Sequence, residues 1–314
     1  MSGTKIALIQ EPSVYLNLEA SVEKALKLIH EAVTVGKADI VVFGETWFGG
    51  YPSWLDYIPN AARWNYEPIK TVWAETFENA LEIGDRFMER LAQAAKEESV
   101  FLIFGFNEAI RRGKGNGTLY NAILMIDEQG IVRNHHRKLM PTFTEKLVYG
   151  LGDAHGLSAV ETTHGRLGAL VCWEHWMPLT RQAMHDEAED IHFALWPTVH
   201  EMHQIASRQY AFEGRCFVVS VGQLLRAKDL PKILLLEAEK AQMKLPELVL
   251  NGGSCVVGPD GFYLLEPQFN VGGILYVDIP AHKIILAERM NLATSGHYQR
   301  WDLFDFKVDK KRMF

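Results

Sequence analysis

Apolar residues along the chain fall into short continuous runs separated by longer stretches at helical spacing, the pattern of buried strands covered by amphipathic helices. Residues 5–9 form the first run, 17–35 carry apolar positions at helical spacing, and 40–43 form a second run, so the chain opens β-α-β. A polar and aromatic stretch over about 44–73 follows, and the spacing then predicts a second long helix to about residue 98 and a strand over 100–106. Residues 107–138 read as a hairpin pair about Glu128, Gln129 and Gly130, with glycine where positive φ is often needed. In the second half GRLGALVC predicts a strand, 178–187 a helix, 191–196 a strand, 200–213 a helix and 217–221 a strand. Strands over 253–257, 262–265 and 273–279, with a turn at Pro259, Asp260 and Gly261, lead to a helix over 280–289. Residues 224–249, rich in Leu, Lys and Glu, read as a helical insertion or a mobile flap. Unbroken α/β alternation, with no low-complexity linker and no clean repeat, predicts one domain over residues 1–314, its helices covering a mostly β interior.

Composition narrows the classes. With 48% hydrophobic and 23% charged residues the chain is of the globular type, and a formal charge of -7 gives no electrostatic reason to expect a nucleic acid partner. No apolar stretch approaches the roughly 18 residues of a membrane span, and the opening MSGTKIALIQEP lacks the long apolar core of a secretion signal. A soluble, cytoplasmic protein is expected. Cys172, Cys216 and Cys255 are odd in number and far apart, which fits neither a disulfide framework nor a zinc site and suits a reducing compartment.

Three segments carry candidate chemistry. In VVFGETWFGGYP a buried strand runs into Glu45, placing a carboxylate beyond the carboxyl end of a strand, where α/β proteins meet ligands. The apolar strand before it and the bulky residues after it would partly desolvate that carboxylate and raise its proton affinity toward that of a usable base. In HHRKLMPTFTEKLVYG, Lys138 follows a strand that Pro141 ends. In GRLGALVCWEHWMPL, Cys172 closes an apolar strand and Trp173 starts a turn into a helix, the logic of a nucleophile elbow with the next backbone N–H free to face a substrate. Each has a plainer reading when taken alone: a capping or surface glutamate, a solvated strand end, a buried core thiol.

Taken together, GETWFGGYP, HRKLMPT with its following Glu145, and CWEHWMPL resemble, in order and separation, the three active-site motifs of the nitrilase superfamily of carbon-nitrogen hydrolases. The resemblance extends to the late SGHYQRWD segment, and Cys172-Trp173-Glu174 is similar to the nitrilase branch. His175 stands where many nitrilases carry asparagine, a substitution also seen in relatives acting on arylacetonitriles or cyanide. The resemblance implies a four-layer α-β-β-α sandwich that pairs through its helical layers into a homodimer or higher homo-oligomer. It implies Cys172 as nucleophile, Glu45 as general base, Lys138 as fixed cation and Glu145 in support, with the Trp173 N–H supporting negative charge and Tyr51, Trp173 and Trp196 lining the pocket. The expected substrate is a small-molecule nitrile, and no metal, nucleotide or organic cofactor is required. An amidase using the same residues is the runner-up, followed by a cyanide-degrading relative and a binding or assembly protein that kept the fold. Because free cysteine titrates near 8.5, a neighbouring cation and carboxylate are expected to enlarge the reactive thiolate fraction.

Other constellations carry less. His200-Glu201-Met202-His203 has the wrong spacing for a zinc-protease helix. His135 and His136, adjacent on a strand, point to opposite faces and read as polar surface residues. Gly113, Gly115 and Gly117 open no helix and so read as a flexible hairpin approach, while Cys216 and Cys255 read as core.

Overall fold

The computed structural model describes residues 3–280, 282–290, 294 and 296–313. In chain order its elements are β1 (Thr4–Gln10), α1 (Leu18–Thr34), β2 (Ile40–Phe43), α2 (Trp54–Tyr57), α3 (Glu67–Glu78), α4 (Arg86–Glu98), β3 (Phe101–Ile110), β4 (Thr118–Ile126) and β5 (Val132–Arg137). They continue as β6 (Val160–Thr162), β7 (Gly165–Val171), α5 (Pro178–His185), β8 (Ile191–Leu195), α6 (Glu201–Gly214), β9 (Phe217–Val221), β10 (Leu224–Arg226), α7 (Lys232–Lys240), β11 (Leu248–Val257), β12 (Tyr263–Phe269), β13 (Gly273–Ile279) and α8 (His282–Glu288). Ala281, at the start of the last expected helix, and Ser295, in the SGHYQRWD segment, lie outside the described residues.

The strands form two sheets, one in the order β13-β1-β2-β3-β4-β5 and the other β10-β11-β9-β8-β7-β6 with β12 on β11. β1-β2-β3 and β7-β8-β9 are the parallel cores of their sheets. The two-residue period of a strand sorts the apolar side chains into layers. Ile6 and Leu8, Ile40 and Val42, and Phe101 and Ile103 face the second sheet, in one cluster with Leu167, Val171, Phe193 and Val219. Their alternates Ala7, Ile9, Val41, Phe43, Leu102 and Phe104 face outward under α1 and α4, which lay down Val22, Ala25, Ile29, Met88, Leu91 and Ala95. On the far side, Ala183 and Met184 of α5 and Ala206, Tyr210 and Ala211 of α6 cover the second sheet. The result is the expected α-β-β-α sandwich. Among the described residues no helix is long and apolar enough to cross a membrane.

Two expectations change. The long helix expected up to residue 98 is two helices, α3 and α4. The chain breaks at 79–85 because Leu81 bridges to Glu108 on β3 and Asp85 starts a new helix, accepting the N–H groups of Phe87 and Met88. Of the two readings of 224–249, the helical insertion holds: β10 pairs with β11 at its root, and Leu234 and Ala238 of α7 are buried beside Val72 of α3.

Candidate active site

Three strand ends converge on one buried cluster. β2 runs into Glu45, β5 into Lys138 and β7 into Cys172, and all three residues are buried. Lys138 Nζ donates to Glu45 Oε1 at 2.9 Å and to Glu145 Oε2 at 2.7 Å, so one ammonium bridges two carboxylates. Asn121 Nδ2, from β4, donates to the same Glu45 oxygen at 2.6 Å. Glu45 Oε2 is buried with no hydrogen-bond partner among the described residues, so this carboxyl oxygen keeps its full capacity to accept. Tyr51 hydroxyl and the Thr142 N–H both donate to Glu145, fixing its carboxylate against Lys138.

The local backbone is shaped for this. Gly105 on β3 lies under the Glu45 turn: a Cβ there would sit 2.5 Å from the Gly44 carbonyl oxygen and the Thr46 nitrogen, so only glycine lets the turn press onto the sheet. Cys172 is held at φ +45°, in the left-handed region that side-chain-bearing residues avoid. That reversal ends β7 sharply and brings the Trp173 N–H near the sulfur, where it favours the charged form. A carboxylate pins the reversal: Glu174 accepts the Val171 N–H at 2.8 Å, the Leu139 N–H at 2.8 Å and His136 Nε2 at 2.9 Å. Glu174 therefore ties the nucleophile turn to the strand that delivers Lys138. Burial works against its charge, but His136 and the two N–H groups hold it below the usual carboxylate range.

Burial dominates the titration of the reacting groups. It raises Glu45 to about 7, against the opposing pull of Lys138. Burial alone would discharge Lys138, yet Glu145, Glu45 and Cys172 hold it well above the ordinary lysine range, so it is a permanent cation. The Cys172 thiol is pushed up by burial and by Glu45, and Lys138 only partly offsets this. Burial thus opposes the expected enrichment of thiolate and holds Cys172 toward its protonated form.

The aromatic residues are placed unequally. Tyr51 is bonded to Glu145. Trp196 is fully buried, stacks on His175 at 4.6 Å, and accepts the Glu45 N–H at its carbonyl. The Trp173 indole is 46% exposed and leans on Trp176, so its backbone rather than its ring faces the sulfur. His135 and His136 do point to opposite faces, but neither is a surface residue. His136 is buried on Glu174, and His135 bonds to Glu108, which also takes Arg137. Sequence reading passed over Asn121, although a single asparagine in the buried run TLYNAILMI was a usable signal. His200 and His203 cap α6, the His200 N–H donating to His203 Nδ1, and Cys216 and Cys255 are buried free thiols.

A sandwich of this topology with a glutamate, a lysine and a cysteine at converging strand ends and a second glutamate beside the lysine defines an enzyme that hydrolyses carbon–nitrogen bonds. The chain belongs to the carbon-nitrogen hydrolase family, whose model matches residues 5–289. It is 33% identical to an aliphatic nitrilase of Sinorhizobium fredii (strain HH103), over 99% of this chain and 97% of that one. It is 31% identical to a cyanide hydratase of Stereum hirsutum (strain FP-91666), over 98% and 84% of the two chains. In fold it is similar to a carbon-nitrogen hydrolase of Helicobacter pylori G27, with TM-score 0.69, 19% identity and 92% of each chain covered.

Proposed function

We propose that the chain is a nitrilase, one domain converting an organic nitrile to the carboxylic acid and ammonia. The observation that carries this is the buried Glu45, Lys138 and Glu145 network gathered at the left-handed Cys172 turn. Cys172 sulfur adds to the nitrile carbon while Glu45 receives the thiol proton and returns it to nitrogen, giving a thioimidate. Water, deprotonated by Glu45, adds to that carbon; the nitrogen takes protons and leaves as ammonia, and a thioester remains. A second water, activated in the same way, releases the acid and restores the thiol. Lys138 and the Trp173 N–H face the charge that develops in each tetrahedral step. Tyr51, Trp173 and Trp196 are proposed to border the substrate.

The runner-up is an amidase, which enters the same sequence at the amide adduct. Ammonia release from aliphatic, aryl and arylacetonitriles, each beside its matching amide, decides between them: turnover of amides alone would overturn the nitrilase reading. Glu45→Gln keeps the shape and the contact with Lys138 but has no base, and should lower kcat by about 100- to 10,000-fold. Since Glu45 must be ionised to accept the proton, and burial raises it to about 7, kcat/KM should fall tenfold per pH unit on the acid side of that value. A profile flat from about pH 7 down to about pH 5 would remove Glu45 from the role of base.

Pairing through a helical layer is supported by exposed apolar residues on α5 and α6: Leu179, Met202, Ile205 and Phe212. The double change Ile205→Lys and Phe212→Glu should therefore shift the mass in light scattering toward the single chain, whereas an unchanged mass would place the interface elsewhere. A cytoplasmic setting agrees with three free thiols.

A further inference from the structure

Behind the nucleophile, away from Glu45 and Lys138, runs a second buried polar chain that the reaction scheme does not use. His175 Nδ1 lies 2.8 Å from the Cys172 carbonyl oxygen, and His175 Nε2 lies 3.0 Å from His192 Nε2. His192 Nδ1 lies 2.8 Å from Glu189 Oε1, and the Tyr210 hydroxyl donates to Glu189 Oε2. All four side chains are at most 2% exposed. Room for the carboxylate comes from Gly168 on β7, where a Cβ would fall 1.4 Å from Glu189 Oε1. Tyr210 stacks on His192 at 3.9 Å, and Trp196 on His175 at 4.6 Å, so both imidazoles are clamped.

Hydrogen counting fixes the direction of this chain. A carbonyl oxygen only accepts, so His175 must carry its hydrogen on Nδ1, and its Nε2 then accepts. His192 must in turn donate from Nε2, which leaves its Nδ1 to share a hydrogen with Glu189. Three gaps therefore need three hydrogens, two from neutral imidazoles and one held between His192 and Glu189. We propose that Glu189, acting through His192 and His175, is a positioning residue for the Cys172 turn, and that the chain reaches the Cys172 carbonyl only while Glu189 is an uncharged acid. Loss of that proton leaves two hydrogens for three gaps. The carboxylate would draw the His192 hydrogen to Nδ1, and the vacated gap would move toward Cys172, leaving its carbonyl without the imidazole N–H that, beside the Glu174 contacts, steadies the left-handed turn.

The groups around Glu189 place this loss in an accessible range. It faces His192 from β8, Tyr210 from α6 and His185 from α5, with Glu187 and Asp190 beside it on its own loop. Arg289 is bonded to the Glu189 backbone carbonyl and to Asp190, and Cys216 lies within its field. Burial pushes Glu189 up to about 8, while burial holds both His175 and His192 well below the ordinary imidazole range. The third hydrogen therefore sits on Glu189 at neutral pH and leaves it in mildly alkaline solution.

The test compares the wild-type chain with Glu189→Gln, whose amide donates to His192, accepts from Tyr210 and cannot ionise. Nitrogen NMR of histidine-labelled protein should show wild-type His175 passing from the Nδ1–H to the Nε2–H form between about pH 7 and pH 9.5, with Glu189→Gln fixed as Nδ1–H throughout. The wild-type kcat/KM should fall at least about fivefold over that range, whereas Glu189→Gln should stay within about threefold of wild type at neutral pH and lose its alkaline limb. A wild-type His175 that keeps Nδ1–H at high pH, an identical alkaline limb in both proteins, or a folded Glu189→Gln inactive at every pH would each overturn the proposal. Should Glu189→Gln fail to fold, Tyr210→Phe serves instead. It removes a hydroxyl that favours the carboxylate, so the His175 transition must move to higher pH, and a transition that stays or moves lower is fatal. The rate readout rests on the nitrilase reading, but the tautomer readout does not. A wild-type protein that turned over neither nitriles nor amides would sink the former and leave the latter to be decided.

Discussion

Cys172→Ala should release no measurable ammonia from any nitrile or amide, a fall in kcat on the order of a million-fold, the scale seen when a nucleophile is removed from a concerted set. Covalent addition is what divides the breaking of a carbon–nitrogen triple bond into steps of manageable height, and no other group at the site replaces it. The remaining thiols, Cys216 and Cys255, are buried elsewhere in the core. The fold should survive, with stability within about 1 kcal/mol of wild type. Alanine occupies the left-handed position with the same strain as cysteine, and only a small sulfur is lost. Ammonia release should be read beside thermal melting. Folded Cys172→Ala that still releases ammonia would mean that water attacks directly, with Glu45 as its only activator, and the covalent scheme would be wrong.

The same substitution shows what sequence can and cannot say about the site. Glu45, Lys138 and Cys172 are visible because each follows a strand and sits in a recognisable short motif, and Glu145 through the resemblance; the first three converge because β2, β5 and β7 end at one place, β5 reaching it through the antiparallel β4. The strands are legible as short continuous apolar runs between helical stretches, whereas the four-layer sandwich comes from the resemblance, since runs buried on both faces show no alternation that sorts them into layers. The break between α3 and α4 was missed because apolar spacing continues across it, although Gly84 followed by Asp85 is a stop-and-cap signal. The thiol's raised proton affinity was not legible at all. A motif names the cation beside a cysteine, whereas the penalty of excluding water depends on two sheets closing over the site, and here that penalty is the larger effect. His192 and Glu189 gave no signal, because a histidine in an apolar strand and a glutamate before it become partners only through Gly168 and Tyr210, which pack from other elements.

Lys138→Met should give the largest loss of stability of any single change at the site, about 3–5 kcal/mol at neutral pH, and should lower kcat by at least about 100-fold. Methionine matches the unbranched stem, so packing is nearly kept and the loss is electrostatic. In the wild type one buried cation attracts both carboxyl groups, at 2.9 Å to Glu45 and 2.7 Å to Glu145, and so offsets part of the burial that raises Glu45. Without it both carboxyls sit in a dry pocket, and their cheapest escape is to bind protons. Glu45, already raised by burial to about 7 beside Lys138, then rises further above the unfolded value of about 4.3, so the variant's folded state keeps that proton to higher pH than the wild type's and loses stability over the added span. Because Glu45 keeps its proton in both folded proteins below about pH 7, the deficit should be nearly constant up to that pH and widen by up to about 1.4 kcal/mol per pH unit above it. Denaturant unfolding of both proteins across that range reads the effect directly. Curves for Lys138→Met and wild type that run parallel above about pH 7 would show that the ammonium does not favour the charged form of Glu45, and the electrostatic account of the site would fail with it.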